Sequence, residues 1–428
     1  MHKPGDKVEV ETVDGIQTGI VMPNENAKTL FLKLTSGYNV GIDKKKIKTI
    51  DILEAFKETK KETKETIKEN KKLPTIAILH TGGTIASQVD YRTGAVVSRF
   101  TAEDLLKMVP ELKDIANIET RTVFQMFSED MEPTHWSILA EKVAEELKHN
   151  PKGIIIGIGT DTLEYAASAL SFALRNLSIP VLLVGSQRSS DRPSSDAGIN
   201  LLCAAQFIAK TDFAGVGVCM HDNEDDNNCL IIEGNFVKKM HTSRRDTFRP
   251  INRKPLARVD SNGKIEYLRN NYPKAGGKFE LKSKFSNKVG LIKIYPGFRK
   301  EELDYYENNC DGLVIEGYAF GQMPVNVVDE STKDHAHLLE RVKKIAKKMP
   351  VAVVSQRPYG ITYMNVYSTG RDLIDASVVE AKVLPHVAYA KLSWLLGQTK
   401  DIALIRKEMA SNLVGEIVDR VEKNTFLI

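Results

Sequence analysis

The sequence predicts an α/β protein with two parallel-sheet domains, preceded by a small all-β barrel. Three features support this prediction: closely spaced alternating strands near the N-terminus, a strongly charged segment after them, and apolar strands that alternate with helical stretches thereafter. The chain has 428 residues, of which 42% are hydrophobic and 27% are charged. These values are typical of a globular protein that is long enough to form two or three domains with large cores.

Residues 1–51 are predicted to form the barrel. In VEVETV, Val8 and Val10 alternate with glutamates, which is the period-two pattern of a strand that buries one face. The segment TLFLKLTSG repeats this alternation, and turn pairs such as Asp14-Gly15 separate the strands. About 45 residues of short, closely spaced strands are typical of a small barrel that acts as a binding module rather than a catalytic one.

Residues 52–73 are predicted to be a charged linker. The run KETKKETKETIKENKK has almost no apolar residues and many glutamate–lysine pairs three positions apart, which fit either a solvent-exposed helix or a charged tether. Residues 1–73 carry 15 lysines against 12 acidic residues, an excess of 3. An excess this small usually indicates a solvated face, so charge alone does not decide whether an anionic partner such as RNA binds here.

Apolar strands and helices alternate from residue 74 onward. TIAILH, GIIIGIG, PVLLVGS and GVGVCM are continuous apolar runs, as expected for strands that are covered on both faces. Between them, PTHWSILAEKVAEELKHN has apolar residues at helical spacing, and this alternation predicts a parallel sheet with right-handed crossovers. We expect an N-terminal α/β domain over residues 74–270, a polar linker over 271–287, and a smaller α/β domain over 288–428.

Composition argues against several other classes of protein. No apolar run approaches the roughly 20 residues needed to cross a bilayer, and the N-terminus lacks the apolar stretch of a secretory signal. The four cysteines show no CxxC spacing, which favours reduced and mostly buried thiols in a cytoplasmic protein.

Two glycine-containing turns follow long strands of the predicted sheet. TGGT has no lysine after its glycines, as a phosphate-binding loop would require, and in GIIIGIGTDT Thr162 stands where a dinucleotide-binding turn would have its third glycine. What remains is a set of hydroxyl groups at strand ends, where ligands bind in open parallel sheets. Either motif alone is more simply explained as a helix cap. His80, beside TGGT, is expected to be a packed strand-end residue rather than a base.

Together the two threonine motifs are far more specific. TGGTIAS followed by GTDTLEYAA resembles the asparaginase family of amidohydrolases, and the resemblance continues through LVGSQRSSDRPSSDAGINL and DGLVIEGYAFGQMP over four-fifths of the chain. It implies an asparaginase-like two-domain fold and threonine-based amide hydrolysis. The catalytic residues that it implies are Thr84, Thr160, Asp161 and Lys239. Lys238, next to the lysine that aligns best, is kept as an alternative.

The resemblance also implies how the substrate is held. Gly83 is expected to bring backbone N–H groups close to the substrate, and Asp161 is expected to meet the α-ammonium group. Ser128 matches the serine that receives the α-carboxylate, and Tyr91 matches a loop tyrosine that orients the nucleophile. Glu129 stands where many free asparaginases have glutamine, a difference that bears on side-chain preference. This chemistry requires no metal and no cofactor in this chain.

Free asparaginases begin near the TGGT strand, whereas this chain first has a predicted barrel and linker. That arrangement resembles the D-type subunits of archaeal glutamyl-tRNA(Gln) amidotransferases. The resemblance implies a glutaminase subunit whose ammonia is used by an E-type partner, a kinase and transamidase, with ATP and magnesium, to convert Glu-tRNA(Gln) to Gln-tRNA(Gln). It also implies a homodimer core within a heterotetramer. Two alternatives are kept: a free L-asparaginase or glutaminase, and a non-catalytic paralogue that binds tRNA or protein.

Overall fold

The computed structural model describes most of the chain. The described residues are 2–22, 28–34, 39–56, 70–83, 87–89, 96–98, 105–106, 108–188 and 195–427. Most of the predicted charged linker, at residues 57–69, lies outside them. Within the described segments, no helix combines the length and the apolar character that a bilayer crossing needs.

An antiparallel sheet forms the N-terminal region, as the alternation of apolar and polar residues predicts. Its strands are β1 (Lys7–Thr12), β2 (Gly15–Val21), β3 (Thr29–Leu34), β4 (Asn39–Asp43) and β5 (Ile47–Glu54). They pair in the order β4-β3-β2-β1-β5, so β4 and β5 are the edge strands among the described residues. Val8, Val10 and Leu32 are fully buried in a small core on one face. The predicted small all-β domain is therefore confirmed.

An eight-stranded sheet forms the middle of the chain. Its strands are β6 (Thr75–Gly82), β9 (Asn117–Met126), β10 (Gly153–Gly157), β12 (Val181–Val184), β13 (Val216–His221), β14 (Asn228–Glu233), β17 (Ala257–Asp260) and β18 (Ile265–Tyr267). The described strands of this region outside that sheet are short: β7 (Ser87–Val89), β8 (Val96–Ser98), β11 (Leu174–Arg175), β15 (Val237–Lys239), β16 (Phe248–Pro250) and β19 (Glu280–Leu281). Its main described helices are α1 (Pro133–Leu147), α2 (Leu163–Ala173) and α3 (Ala197–Lys210). The eight strands pair in the order β18-β17-β14-β13-β12-β10-β6-β9.

The larger sheet is mixed rather than wholly parallel. β9, β6, β10, β12 and β13 pair in parallel, as the continuous apolar runs predict. β14, β17 and β18 extend the sheet through antiparallel ladders, which the sequence analysis did not predict. The connection between β13 and β14, at residues 222–227, is too short for the crossover helix that a parallel pair needs.

Helices cover both faces of the parallel strands. Ile154 and Ile156 of β10 belong to the core that contains α1 and α2, whereas Ile155 belongs to the core that contains α3 on the opposite side. All three isoleucines are fully buried. Burial on both faces explains why these segments are continuously apolar in the sequence. It also leaves the carboxyl ends of the strands together at one edge of the sheet.

A smaller, fully parallel sheet forms the C-terminal region. Its strands β20 (Val289–Lys293), β21 (Gly312–Gly317), β22 (Val351–Ser355) and β23 (Val379–Glu380) pair in that order. The α-helices are α4 (Asp304–Asn309), α5 (His335–Lys348), α6 (Ser368–Asp375), α7 (Pro385–Gln398) and α8 (Ile402–Ala410).

The two α/β regions pack against each other through α2 and α7. Phe172 on α2 stacks against Trp394 on α7, with ring centroids 5.9 Å apart. The polar segment at residues 271–287 contacts the region of the larger sheet, because its strand β19 pairs with β11. The predicted two-sheet α/β architecture is confirmed.

Candidate active site

Three loops meet at the carboxyl ends of β6, β9 and β10. A Cβ atom on Gly83 would lie 2.6 Å from Gly159 Cα, and one on Gly159 would lie 2.8 Å from Ser128 Oγ. Gly83 also has a φ of +77°, in the left-handed region that glycine favours. Glycine is required at Gly83 because its main chain touches that of Gly159, and at Gly159 because its main chain touches the Ser128 side chain. Gly83 of TGGT therefore serves the contact between the loops after β6 and β10.

Thr160, Asp161 and Lys239 form a hydrogen-bonded cluster at this junction. Lys239 Nζ donates to Thr160 Oγ1 at 2.9 Å and to Asp161 Oδ1 at 2.7 Å. Thr160 is buried, whereas the Asp161 side chain is 65% exposed, so its carboxylate can still reach a ligand. A hydroxyl, an acid and an amine from two distant segments of the chain thus lie within bonding distance.

Lys238 and Lys239 contact different partners. Lys238 Nζ donates to Glu164 Oε1 at 3.1 Å, whereas Lys239 Nζ reaches the Thr160 cluster. Both lysines lie on β15, and successive side chains of a strand point to opposite faces. The strand can therefore present only one of the two lysines to the cleft, and it presents Lys239.

Ser128 supports the loop that carries Thr160. Its Oγ accepts the backbone N–H of Asp161 at 3.1 Å, and its carbonyl oxygen accepts the Thr162 hydroxyl at 2.7 Å. Because the Ser128 hydroxyl acts as an acceptor in the first bond, its own proton can be donated elsewhere. Glu129 is exposed beside Ser128 and lines the same cleft.

The cleft between these loops has a volume of about 220 Å³. Its walls also include Phe127, Ser186, Gln187 and Thr242, which the sequence analysis did not single out. Small volume, hydroxyl groups and both signs of charge together suit a small zwitterion such as an amino acid. Across the described segments, no group of three or more histidine, cysteine, aspartate or glutamate side chains is arranged to hold a metal ion.

Asp196 shapes one wall of the cleft. It is fully buried and accepts hydrogen bonds from Ser186 Oγ at 2.9 Å and from the backbone N–H groups of Gln187 and Arg188 at 3.0 Å each. These bonds hold Ser186 and Gln187, which follow β12, at the wall of the cleft. The sequence signal was present, since Asp196 lies in the SSDAGINL part of a motif used for the family resemblance, but an aspartate just before a helix also fits an ordinary cap.

The other residues in and beside TGGT lie in different environments. Thr81 Oγ1 donates to the carbonyl oxygen of Gly157 at 3.1 Å in a buried position, so this threonine ties β6 to β10. His80 is buried, and burial lowers its pKa to about 4. The imidazole is thus neutral at pH 7, consistent with the expected packing role. Thr84 and Tyr91 lie outside the described residues.

Two family models match the two α/β regions of the chain. The family described as "Asparaginase, N-terminal" matches residues 75–273, and "Glutaminase/Asparaginase C-terminal domain" matches residues 288–409. The thermostable L-asparaginase from Thermococcus kodakarensis superposes with a TM-score of 0.72 and 33% identity, over 81% of this chain and 100% of that one. L-asparaginase I from Vibrio cholerae gives a TM-score of 0.70 and 27% identity, over 81% and 99%. The fold and the threonine–aspartate–lysine cleft define the asparaginase-like class of amidohydrolases.

Relatives that match the chain from end to end are more specific. "GatD N-terminal domain" matches residues 2–53. The D subunit of glutamyl-tRNA(Gln) amidotransferase from Thermococcus kodakarensis is 46% identical over 434 residues, which cover 99% of this chain and 96% of the relative. Its counterpart from Pyrococcus furiosus is 46% identical over 433 residues, covering 99% and 94%. The counterpart from Methanothermobacter thermautotrophicus is 42% identical over 423 residues, covering 97% and 94%. This chain belongs to the family of glutamyl-tRNA(Gln) amidotransferase D subunits.

Proposed function

We propose that this chain is the glutaminase subunit of a tRNA-dependent amidotransferase. It hydrolyses the side-chain amide of glutamine, and an E-type partner uses the ammonia, with ATP and magnesium, to convert Glu-tRNA(Gln) to Gln-tRNA(Gln). One observation carries the proposal: the Lys239 amine bonds to both Thr160 and Asp161 at a strand end of an asparaginase-like sheet. Relatives that carry the name of the D subunit, and that match this chain over nearly their full length, support the same assignment.

Amide hydrolysis in this cleft proceeds through a threonine ester. A hydroxyl of Thr84 or Thr160 attacks the amide carbon, the C–N bond breaks as the nitrogen takes up a proton, and ammonia leaves. Water then cleaves the ester to give glutamate. Lys239, whose Nζ lies 2.9 Å from Thr160 Oγ1, exchanges a proton with that hydroxyl, so that the proton lost by the attacking hydroxyl reaches the leaving nitrogen. Backbone N–H groups near Thr84 and Thr160 stabilise the oxyanion.

The amino-acid end of glutamine binds at the outer part of the cleft. The exposed carboxylate of Asp161 meets the substrate's ammonium group, and the Ser128 hydroxyl donates to its carboxylate. Gly83 provides the close main-chain wall, and Glu129 faces the bound ligand. We assign Tyr91, which follows TGGT in the sequence, to orient the nucleophile. This chemistry places no cofactor in the chain itself.

Turnover in this chain depends on its partners. Continuous release of ammonia would waste glutamine, so the rate is coupled to the partner subunit and to charged tRNA. Two copies of this chain form the core of a heterotetramer that works in the cytoplasm. The N-terminal sheet distinguishes this chain from the asparaginase structures, which overlap with 81% of it.

Ammonia release from glutamine and from asparagine tests the proposal. The isolated chain is expected to hydrolyse glutamine slowly, and the rate is expected to rise when the partner subunit, ATP and Glu-tRNA(Gln) are added together. Rapid turnover of asparagine without the partner would instead identify a free asparaginase. If no condition releases ammonia from either amino acid, while the chain still binds tRNA or the partner, the non-catalytic alternative is correct.

A further inference from the structure

Glu164 lies between the two segments that build the catalytic cluster. It is three residues after Asp161, in the first turn of α2, and its side chain is 7% exposed. Its Oε2 accepts the backbone N–H of Lys239 at 2.6 Å, and its Oε1 accepts Lys238 Nζ at 3.1 Å. One carboxylate therefore holds the main chain of one lysine and the side chain of its neighbour.

The surroundings of Glu164 show which group compensates its charge. A buried carboxylate is costly unless a cation compensates its charge. His386 Nδ1 lies 3.6 Å from Glu164 Oε1, but burial lowers the pKa of His386 to about 4, so that imidazole is neutral at pH 7. Lys238 supplies the positive charge at Oε1. The other oxygen is then available for the amide of Lys239.

We propose that Glu164 is a positioning residue that sets the distance between Lys239 Nζ and Thr160 Oγ1. This inference rests on the proposed function and concerns the same cluster. Thr160 and Lys239 are 79 residues apart in the sequence, whereas Glu164 follows Thr160 closely and binds the lysine's main chain directly. This hydrogen bond anchors β15 to the first turn of α2, which directly follows the loop that carries Thr160.

Substitutions at Glu164 separate this geometric role from a role of its charge. Glu164→Ala is expected to lower kcat for ammonia release roughly 10- to 100-fold, because a shift of about 1 Å in a catalytic group has effects of this size. KM should stay within about twofold, since the groups that hold the amino-acid end are untouched. Glu164→Gln keeps an oxygen acceptor and should retain kcat within about threefold, whereas Glu164→Asp keeps the charge, withdraws the oxygen, and should lose about tenfold.

Lys238→Met is the matched control for these variants. It removes the ammonium from Oε1 but leaves the bond from Glu164 to the Lys239 amide, so kcat is expected within about threefold of wild type. If Lys238→Met is as slow as Glu164→Ala, the charge pair matters rather than the main-chain bond, and the inference is overturned. The inference would also be overturned if Glu164→Asp retained a higher kcat than Glu164→Gln.

A double-mutant cycle with Lys239→Ala tests whether Glu164 acts through the lysine. Once Lys239 has lost its amine, Glu164→Ala should slow the residual reaction by less than about twofold. An equal loss in both backgrounds would mean general damage to the fold and would refute the positioning role. If Glu164→Ala is unfolded at the assay temperature, the contrast between the Gln and Asp variants decides. Full activity of Lys239→Ala itself would refute the proposed function, whereas wild-type kcat in Glu164→Ala refutes only this inference.

Discussion

The larger, mixed sheet and the smaller, parallel sheet differ in how the carboxyl ends of their parallel strands are used. In the larger sheet, Thr160 follows β10 and its hydroxyl bonds to the amine of Lys239. In the smaller sheet, Gln356 follows β22 and its amide donates to the carbonyl oxygens of Ile294 and Glu316. Side-chain hydrogens that serve the neighbouring main chain are not available to a ligand. A place at the carboxyl end of a parallel strand is therefore not sufficient for chemistry; the side chains there must be free to bond with one another.

Removing one polar group from each sheet gives the largest expected contrast. Thr160→Val deletes the hydroxyl at nearly constant volume and should lower kcat for ammonia release about 1,000-fold or more. Gln356→Leu should leave kcat within about threefold but reduce the free energy of unfolding by about 2 kcal/mol, because two carbonyl groups lose their donor. Steady-state ammonia assays and denaturant titrations measure the two quantities.

The comparison between the two sheets would be contradicted if Gln356→Leu lost ammonia release or Thr160→Val kept it. Loss of ammonia release in Gln356→Leu at unchanged stability would place the strand ends of the smaller sheet in the catalytic machinery. Retention of wild-type kcat in Thr160→Val would remove Thr160 from it. Lys239→Ala and Asp161→Ala serve as companions to Thr160→Val, since each removes a different member of the same cluster.

A methyl group on a glycine of each sheet region gives the next contrast. Gly83→Ala would press a Cβ to 2.6 Å from Gly159 Cα, so the loops after β6 and β10 must separate. We expect kcat to fall about 100-fold and the free energy of unfolding to fall by about 1–3 kcal/mol. Gly297, in the C-terminal region, has a similar φ of +89° but no atom within 4 Å of its added Cβ. Gly297→Ala should therefore cost about 1 kcal/mol of backbone strain and leave kcat unchanged.

Equal losses of kcat in the two glycine variants would contradict the close-contact explanation. Both variants share the strain of a positive φ, so that strain cancels in the comparison. What differs is the neighbouring main chain, which only Gly83 meets.

The sequence was most informative where one physical pressure dominated. GIIIGIG is continuously apolar because β10 is covered on both faces, and this pattern predicted the parallel strands. Order along the chain and family resemblance together pointed to Thr160, Asp161 and Lys239 as neighbours. Choosing between Lys238 and Lys239 needed the direction of β15, which the sequence does not specify when both residues are lysine.

Elements that depend on connection geometry could not be predicted in the same way. β13 and β14 are both apolar, and only the short turn between them makes the pair antiparallel. Asp196 and Glu164 each lie at the start of a helix, where an acid is favoured by the helix dipole alone. Their roles became visible through bonds to segments that are distant in sequence, such as that from Glu164 to Lys239.

Two buried histidines, one in each region, test whether burial itself differs between the sheets. Burial lowers the pKa of His80 on β6 and of His386 on α7 to about 4. As the pH falls, the unfolded chain protonates each histidine near pH 6.5, whereas the folded chain does so only near pH 4. The contribution of each neutral histidine to the free energy of unfolding is therefore fully present above pH 6.5 and is lost as the pH falls toward 4. Each histidine should contribute up to about 3 kcal/mol to this loss.

His80→Gln and His386→Gln should each flatten the decline in unfolding free energy between pH 6.5 and 4 by a similar amount. Taking the difference from wild type at each pH removes the contribution of carboxylates that titrate in the same range. A flat difference for either variant would show that its imidazole is not held neutral by burial. If both variants flatten the pH dependence of the unfolding free energy equally, the two regions bury their histidines alike and differ only at their strand ends.

Thiol labelling gives the smallest expected effect and compares burial between the same two regions. Cys203, Cys219 and Cys229 are fully buried in the larger sheet region, and burial raises the pKa of the Cys219 and Cys229 thiols. Cys310, just before β21, is only half-buried, although burial also raises the pKa of its thiol. Because labelling requires both a thiolate and access to it, the native chain should react slowly at Cys310 and should react at all four thiols only when denatured.

Cys310→Ser should abolish labelling of the native chain while leaving ammonia release unchanged. Rapid labelling that persists in that variant would mean that the core between β13, β14 and α3 opens readily, and that the larger sheet is a less rigid frame for the loops of the cleft than its burial indicates.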